Sequence, residues 1–369
     1  MKDKTARQSN FELLRIFAML MIILYHINVH CIKNQLINPD SIALMHNGFF
    51  TQPIFYKKLL ILQSFFNLGY LGDALFILIS GYFLIDKENI DIKKSAIKML
   101  SQLGIAILIL MTISEVTYHI WSTKHFVDMI TLKDFNSSSW FIGYYFWIIL
   151  IAKLFLNKYL QKIDKKEFET FLITMFFIIS ISWAASILQG LSSELITIAT
   201  GVFLYSLGGY MKRYNPLENI SIFTLIIIII VLNVLVYISF FYKTQVSIEK
   251  YKGGDFHQNL ITYEKNEIFN LIVPACVFEI FRRIKMKNLK VINFIASSTL
   301  MIYLIHDNQL FYSIWNMVDW ITLLHNSPLK FLAVISLCAI GTFSIGFISY
   351  LIYLLIMKII KKIHIKQTA

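Results

Sequence analysis

Residues 10–30 read NFELLRIFAMLMIILYHINVH, a mostly apolar run that carries Arg15 and His26 well inside it. About 20 apolar residues in a helix span the hydrocarbon core of a bilayer. Backbone groups in lipid must bond to each other, so this run predicts a transmembrane α-helix. It is too long, and too interrupted by Arg15, for the apolar core of a secretory signal peptide.

The rest of the chain repeats this pattern. Of its 369 residues 57% are hydrophobic and 15% are charged, whereas soluble domains have about 45–50% apolar and about 25% charged residues. The sequence therefore predicts an all-α polytopic membrane protein with about ten transmembrane helices. The predicted spans are Phe11–His30, Leu59–Ile85, Met99–Trp121, Ser139–Asn157, Glu169–Leu188, Glu194–Met211, Ile220–Tyr242, Glu267–Phe281, Ile292–Val318 and Leu329–Met357. The last is so long that we expect it to be tilted or broken.

The positions of the basic residues predict the orientation. About two thirds of the 34 Lys and Arg residues fall in alternate connections, beginning with the N-terminus, and such connections face the cytoplasm. Both termini are therefore expected in the cytoplasm. The net charge of +12 is spread over six segments, so it indicates topology, and no nucleic-acid partner is expected.

No linker rich in Pro, Gly or Ser divides the chain, so residues 1–369 are expected to form a single transmembrane domain without a separate soluble domain. Cys31, Cys276 and Cys338 are far apart and lack the spacing of metal ligands. Neither a disulfide framework nor a metal site is expected from them.

Arg15 and His26 are predicted to share one face of the first helix. Eleven residues correspond to a rise of about 16.5 Å and about three full turns. Ionisable groups at such depth are costly and usually line a cavity. The pair therefore predicts a polar path across much of the membrane. Arg15 could instead extend to the inner interface, and His26 could be a buried structural histidine.

Three further ionisable residues lie in apolar runs. Asp73, in the second span, should face a cavity or a cation. His306 and Asp307 lie in the ninth span, with His306 in its middle or outer half. Neighbours on one helix do not face each other, so Asp307 is expected to pair with His26 rather than with His306. Helix packing alone would also account for His306.

Two groups of residues near the interfaces are candidates for ligand binding. Trp140 and Tyr144 open the fourth span, where aromatic residues commonly anchor the membrane surface, and could instead meet a polar ligand. The first inner loop, residues 86–98, carries Lys93, Lys94 and Lys98. These lysines could act only to keep this loop on the cytoplasmic side, or they could bind the phosphates of a polyanionic cofactor beside Arg15.

These residues together resemble the acyltransferase-3 family of bacterial integral membrane acyltransferases. The matching elements, in chain order, are an Arg-x10-His element, a Gly-x-x-Leu-Phe-x-x-x-Ser-Gly-Tyr element, a basic stretch, a Trp-Phe-x-x-x-Tyr element and a Tyr-Leu-Ile-His element. They lie at Asn10–His26, Gly72–Tyr82, Lys93–Lys98, Trp140–Tyr145 and Tyr303–His306. The resemblance covers nearly the whole chain, and the order of the elements is more specific than any one of them.

The chain departs from the family pattern in two places. Many relatives have an acid two residues after the glycine of the second element, where this chain has Ala74 and carries Asp73 one position earlier. The basic stretch has Lys where relatives often have Arg, which keeps the charge but loses two-pronged phosphate contacts. Some relatives also carry an extracytoplasmic domain that completes the transfer, so this chain would act alone or with a separate partner.

The resemblance implies an acyl-coenzyme A donor, usually acetyl-CoA, and hydroxyl acceptors on cell-surface polysaccharides or their lipid-linked precursors. It implies a multi-pass protein of the bacterial plasma membrane, possible partners among polysaccharide biosynthesis proteins, and no metal. The implied catalytic residues are His26, Arg15, His306 and Asp73. The phosphates of acetyl-CoA would bind Arg15 and Lys93, Lys94 and Lys98, and the acceptor would meet Trp140, Tyr144 and Asp307.

Two other functions remain open. A polar transmembrane path also suits a transporter or flippase for a small molecule or glycan. Inverted repeats with paired broken helices would favour transport, and the sequence shows no such pairing. The chain could also be a non-catalytic subunit of a polysaccharide assembly complex, which would tolerate loss of His26.

Overall fold

The computed structural model describes residues 7–37, 53–87, 89–118, 127, 140–184, 186–252 and 268–368. Regular structure within these ranges is entirely helical, which confirms the all-α class. Two π-helical turns, Asn28–Ile32 and Ala152–Leu156, continue α1 and α5. The α-helices are α1 (Ser9–Ile27), α2 (Lys33–Ile37), α3 (Pro53–Leu84), α4 (Ile92–Tyr118), α5 (Trp140–Ile151), α6 (Asn157–Leu160), α7 (Lys165–Ala184), α8 (Ser186–Tyr214), α9 (Ile222–Lys252), α10 (Ile268–Arg283), α11 (Lys290–Ala296), α12 (Thr299–His306), α13 (Gln309–Trp315), α14 (Trp320–Asn326) and α15 (Pro328–Thr368).

Five segments of the described chain are long and apolar enough to cross a membrane. They are Ser9–Gln35, Asn67–Leu84, Ile92–Val116, Trp140–Leu160 and Pro328–Ile363. The polytopic character is thereby supported by length and composition. The total of ten spans and the cytoplasmic placement of both termini stay predictions.

The ninth predicted span, Ile292–Val318, is not one continuous helix, and that expectation is wrong. The chain forms α11, α12 and α13 in its place. Asn308 accounts for the second break, because its Oδ1 accepts the Leu310 N–H at 3.0 Å and so caps α13. Its Nδ2 also donates to the Ile305 carbonyl at the end of α12. His306 therefore ends α12, and Asp307 lies in non-helical backbone.

The last predicted span was expected to be tilted or broken; the broken alternative is wrong, and tilt stays a prediction. Helix α15 runs without a break through 41 residues, a length of about 62 Å, so it is continuous rather than broken. It is about twice as long as the hydrocarbon core is thick.

Helix α1 lies at the centre of the described bundle, where it contacts α3, α10, α11, α12 and α15. Its apolar side chains Leu14, Met19 and Ile23 are fully buried. The polar side chains of Ser9, Asn10, Glu12 and His26 on α1 are also buried within the protein. This central position explains how Arg15 and His26 can be accommodated on one helix.

Glycines allow α3 to approach its neighbours. A Cβ at Gly81 would overlap the Tyr205 carbonyl of α8, and one at Gly208 would overlap the Leu78 carbonyl of α3. The two backbones therefore meet directly, as small residues permit in membrane helix packing.

Candidate functional site

Arg15 and His26 both face the side of the bundle formed by α11 and α12. Arg15 borders a cavity that Ser297 and Leu300 also line, and His26 contacts His306. Arg15 donates to both carboxylate oxygens of Glu12 at 3.1 Å. The Arg15 guanidinium is therefore partly neutralised at the edge of a protein cavity.

The cavity has a volume of about 340 Å³ and lies between α1, α3, α4, α5 and the α11–α12 segment. It runs past the end of α11 at Ala296 and follows α12 from Thr299 to Tyr303, a rise of about 6 Å along α12. One end carries the cations Arg7, Arg15 and Lys98, and the other end is aromatic. The residues that line it are Arg7, Glu12, Arg15, Phe76, Ser80, Leu84, Ile90, Ser95, Lys98, Met99, Phe141, Ile142, Tyr145, Phe146, Ile149, Ala296, Ser297, Thr299, Leu300 and Tyr303.

Of the three predicted phosphate-binding lysines, only Lys98 lines this cavity. The expectation that all three lie in a loop is wrong, because α4 already begins at Ile92. Asp91 explains the early start, since its Oδ1 accepts the Lys94 N–H at 2.8 Å and caps the helix. Lys93 and Lys94 are exposed on the first turn.

Arg7 also borders the cavity, and the sequence reasoning missed it. Its Nη1 donates to the Asn293 carbonyl at 2.9 Å and to Ser297 Oγ at 2.5 Å. Because these contacts hold Arg7 beside α11, its charge is added to that of Arg15 and Lys98. Nothing in the sequence around Arg7 distinguishes it from an ordinary basic residue at a cytoplasmic terminus.

A hydrogen bond joins the two predicted histidines beyond the aromatic end of the cavity. His26 Nδ1 lies 2.7 Å from His306 Nε2, and the rings stack with centroids 4.8 Å apart. His306 Nδ1 lies 2.8 Å from the Tyr303 carbonyl oxygen. His306 is fully buried, so α12 determines both its position and its orientation.

These contacts assign the ring protons of the neutral pair. A carbonyl oxygen can only accept, so His306 Nδ1 carries a proton and donates to Tyr303. His306 Nε2 is then an acceptor, and His26 Nδ1 must donate to it. The lone pair of neutral His26 is therefore on Nε2, the nitrogen that a general base would use.

Asp307 lies against α1, as expected from the sequence. Its Oδ2 is 3.9 Å from His26 Nδ1 and its Oδ1 is 3.5 Å from His30 Nε2. Tyr312 donates its hydroxyl to Asp307 Oδ1. The break between α12 and α13 lets Asp307 leave the helical arrangement and reach this position.

His30 and Tyr312 belong to the same cluster, and the sequence reasoning missed both. Their rings stack at 4.3 Å between centroids. A signal for His30 was present, because it follows His26 by four residues and so shares its helix face. Tyr312 gave no comparable signal, because its approach depends on the break at Asn308.

His26, His30 and Asp307 could also hold a metal ion. One donor atom from each lies within 4.8 Å of the other two, and two imidazoles with a carboxylate suit zinc and similar transition metals. The sequence analysis expected no metal site from the spacing of the three cysteines. None of those cysteines belongs to this group.

Asp73, Trp140 and Tyr144 meet at a second, smaller cavity. With Tyr70 they line a space of about 30 Å³ between α3, α5, α8 and α10. That is room for about two water molecules, and too little for a sugar ring. The structure thus brings Trp140 and Tyr144 to Asp73, whereas Asp307, the third predicted acceptor residue, lies in the histidine cluster.

A family model described as an acyltransferase domain, that of the acyltransferase-3 family, matches residues 8–353, nearly the whole chain. No curated protein and no solved structure has significant similarity to the chain. The matched region includes α1 with Arg15 and His26, the cavity and the histidine cluster. The chain therefore belongs to the acyltransferase-3 family.

Proposed function

We propose that this membrane acyltransferase moves the acetyl group of cytoplasmic acetyl-CoA to a hydroxyl of a cell-surface polysaccharide or its lipid-linked precursor. The hydroxyl oxygen attacks the thioester carbonyl carbon and loses its proton to His26 Nε2. The carbon–sulfur bond breaks, and the CoA thiolate takes up a proton. The products are the O-acetyl ester and free CoA, and His26 returns to its neutral form.

The observation that carries this proposal is the 340 Å³ cavity, which has cations at one end and, at the other, Tyr303, whose ring lies 5.4 Å from that of His306. Ligand pockets commonly have volumes of about 300–1,000 Å³. Arg7, Arg15 and Lys98 at one end supply countercharge for the phosphates of CoA. The apolar middle of the cavity suits the pantetheine arm, which carries no charge.

Tyr303 connects the cavity to the histidines. Its ring lines the cavity, its carbonyl orients His306, and no group among the described residues hydrogen-bonds its buried hydroxyl. We infer that this hydroxyl donates to the thioester oxygen as negative charge develops there. The donor's acetyl group would then lie within one helical turn of the histidine pair.

The acceptor would approach from the other side of His26. Trp140, Tyr144 and Asp73 are the proposed contacts, and their small cavity must widen to admit a sugar. In this proposal the protein acts in the bacterial plasma membrane, alone or with polysaccharide biosynthesis proteins. His26 Nε2 could instead attack the thioester itself and form a transient acyl-imidazole, which rapid acid quenching would trap as labelled protein.

The experiment is acetyl transfer in proteoliposomes from radiolabelled acetyl-CoA to a crude surface-glycan fraction. We expect His26→Gln to lower the transfer rate by about 10²-fold or more, because general-base catalysis contributes about 10²–10⁴. The control is His325→Gln on α14, which lies outside both cavities and the histidine cluster and should keep the wild-type rate.

Equal transfer by wild type and His26→Gln would remove His26 from the mechanism. In a parallel assay with glycan that is itself labelled, glycan that crosses the membrane without gaining an acetyl group would instead support the transporter prediction.

A further inference from the structure

We propose that His26, His30 and Asp307 form a binding site for a first-row transition-metal ion such as Zn²⁺, and that the bound ion prevents His26 from acting as a base. The first half stands on the geometry of the cluster alone. The second half, the inhibition, rests on the proposed function of His26.

The distances between the donor atoms fit one shared ion. Zinc binds nitrogen and carboxylate oxygen at about 2.0–2.2 Å, so two ligand atoms of a tetrahedral site lie about 3.4 Å apart. Asp307 Oδ2 lies 3.9 Å from His26 Nδ1, and Asp307 Oδ1 lies 3.5 Å from His30 Nε2. All three donors lie within 4.8 Å of one another, so side-chain rotations that close the widest separation by up to about 1.4 Å would complete the site.

Neighbouring residues hold these ligands in place. Tyr312 donates to the Asp307 carboxylate and stacks on His30. Outer contacts of this kind orient metal ligands and are usual in metal sites. Two imidazoles and one carboxylate would fill three positions of a tetrahedral zinc and leave the fourth to water or another small ligand.

Metal binding and base catalysis require opposite tautomers of His26. In the metal-free arrangement Nδ1 carries the proton and donates to His306, which leaves the lone pair on Nε2. An ion on Nδ1 needs the lone pair there, so the proton of the neutral ring moves to Nε2 through solvent. The hydrogen bond to His306 is lost, and Nε2 can no longer accept a proton from the acceptor hydroxyl.

His30 gives the ion a route into the cluster. The His30 side chain is 28% exposed, against 10% for His26 and 3% for Asp307. It lies outward of His26 on α1 in the predicted orientation, so the ion would enter from outside the cell. The site would respond to metal outside the cell while acetyl-CoA is supplied from inside.

The binding half is tested by titrating Zn²⁺ into the full chain, purified in detergent and first treated with a chelator. We expect one ion per chain. His30→Gln and Asp307→Asn should each weaken binding at least tenfold, and His325→Gln should bind as wild type does. Co²⁺ provides a second readout, since its visible absorption should intensify on tetrahedral binding to wild type and not to His30→Gln. Absence of saturable Zn²⁺ binding by wild type, or wild-type affinity in both ligand variants, would overturn the site.

The inhibition is tested by acetyl transfer with and without Zn²⁺. We expect Zn²⁺ to inhibit wild type at least tenfold and a chelator to restore the rate. Each variant is compared with its own metal-free rate, and Zn²⁺ should leave the rate of His30→Gln unchanged by that measure. A wild-type protein that transfers at its metal-free rate with the site occupied would overturn the inhibition. If metal-free wild type transfers no acetyl group, the proposed function fails, and the titration still decides the metal site.

Discussion

The hydrogen bonds from Tyr303 through His306 to His26 determine which nitrogen of His26 holds the lone pair. The carbonyl of Tyr303 sets the tautomer of His306, and His306 sets that of His26. His306 is thus a positioning residue in this account, since it acts through His26.

A pair of His306 variants tests this role. A glutamine oxygen can still accept the His26 Nδ1 proton, so His306→Gln should keep the transfer rate within about tenfold of wild type. His306→Leu offers no acceptor and should lower kcat by about 10²-fold, with little change in KM for acetyl-CoA. ¹⁵N NMR of labelled histidine reports the tautomer of His26. This tautomer should change in His306→Leu if His306 positions the His26 proton, and should stay the same if His306 has only a structural role. Equal losses in both variants with an unchanged His26 tautomer would contradict the account.

The Tyr303 hydroxyl makes a separate prediction. Loss of one hydrogen-bond donor to a developing oxyanion costs about 10²–10³ in kcat. Tyr303→Phe removes only the hydroxyl and should lower kcat by about that factor while the affinity for acetyl-CoA stays near the wild-type value. Tyr145→Phe is the matched control, because Tyr145 lines the same cavity and its hydroxyl bonds Ser80 at 3.0 Å. A larger loss in the control would place the oxyanion donor elsewhere.

Helices α3 and α8 are packed backbone to backbone at Gly81 and Gly208. Gly81→Ala must push the helices apart, and overpacking of this kind costs about 1–3 kcal/mol. Thermal unfolding in detergent should therefore show a lower midpoint for Gly81→Ala. Gly104→Ala is the matched control, because a Cβ there meets nothing within 4 Å and alanine favours helix. A midpoint for Gly81→Ala at or above that of Gly104→Ala would show that the contact is loose.

The end of α3 that the charge pattern assigns to the cytoplasm is held by ion pairs. Asp86 follows α3 and binds Lys212 at 2.9 Å and Arg213 at 2.8 Å, both on α8. Burial alone would raise the pKa of Asp86, but hydrogen bonds from Lys212 and Arg213 outweigh it and hold the pKa below its ordinary value of 3.8.

This lowered pKa predicts a pH dependence. The ion pairs stabilise the fold above about pH 4, where Asp86 would be ionised even in the unfolded chain, and this contribution is lost as pH falls through the folded pKa. Asp86→Asn should therefore unfold at a lower temperature than wild type at pH 7, by a modest amount because Asp86 is 42% exposed. The difference should shrink as the pH falls below about 4 and through the lowered pKa of Asp86. A difference that is constant over this range would contradict the assignment.

A comparison of the predicted helices with those of the structure shows how much of the site could be predicted from the sequence. The spacing of Arg15 and His26 identified α1 as the helix with a polar face, because both residues lie on one regular helix. The break at Asn308 was not predictable from hydrophobicity, since apolar residues continue on both sides of it. The places of Asp307 and Tyr312 depend on that break, and the place of Arg7 depends on contacts with α11.

In the proposed function, the whole molecule brings a cytoplasmic donor and an external acceptor to the imidazole of His26. Its described part offers a cavity with cations at one end and aromatic side chains at the other, where the ring of Tyr303 lies 5.4 Å from that of His306. The charge pattern predicts that the cationic end faces the cytoplasm. The direction of transfer therefore tests topology and chemistry together.

The most direct measurement is acetyl transfer in proteoliposomes of known orientation, with labelled acetyl-CoA supplied on one side and glycan acceptor on the other. The account predicts transfer only when acetyl-CoA is on the Arg15 side, and a loss of about 10²-fold or more in His26→Gln under the same conditions. Transfer that requires acetyl-CoA on the opposite side, or that proceeds at the wild-type rate in His26→Gln, would contradict it.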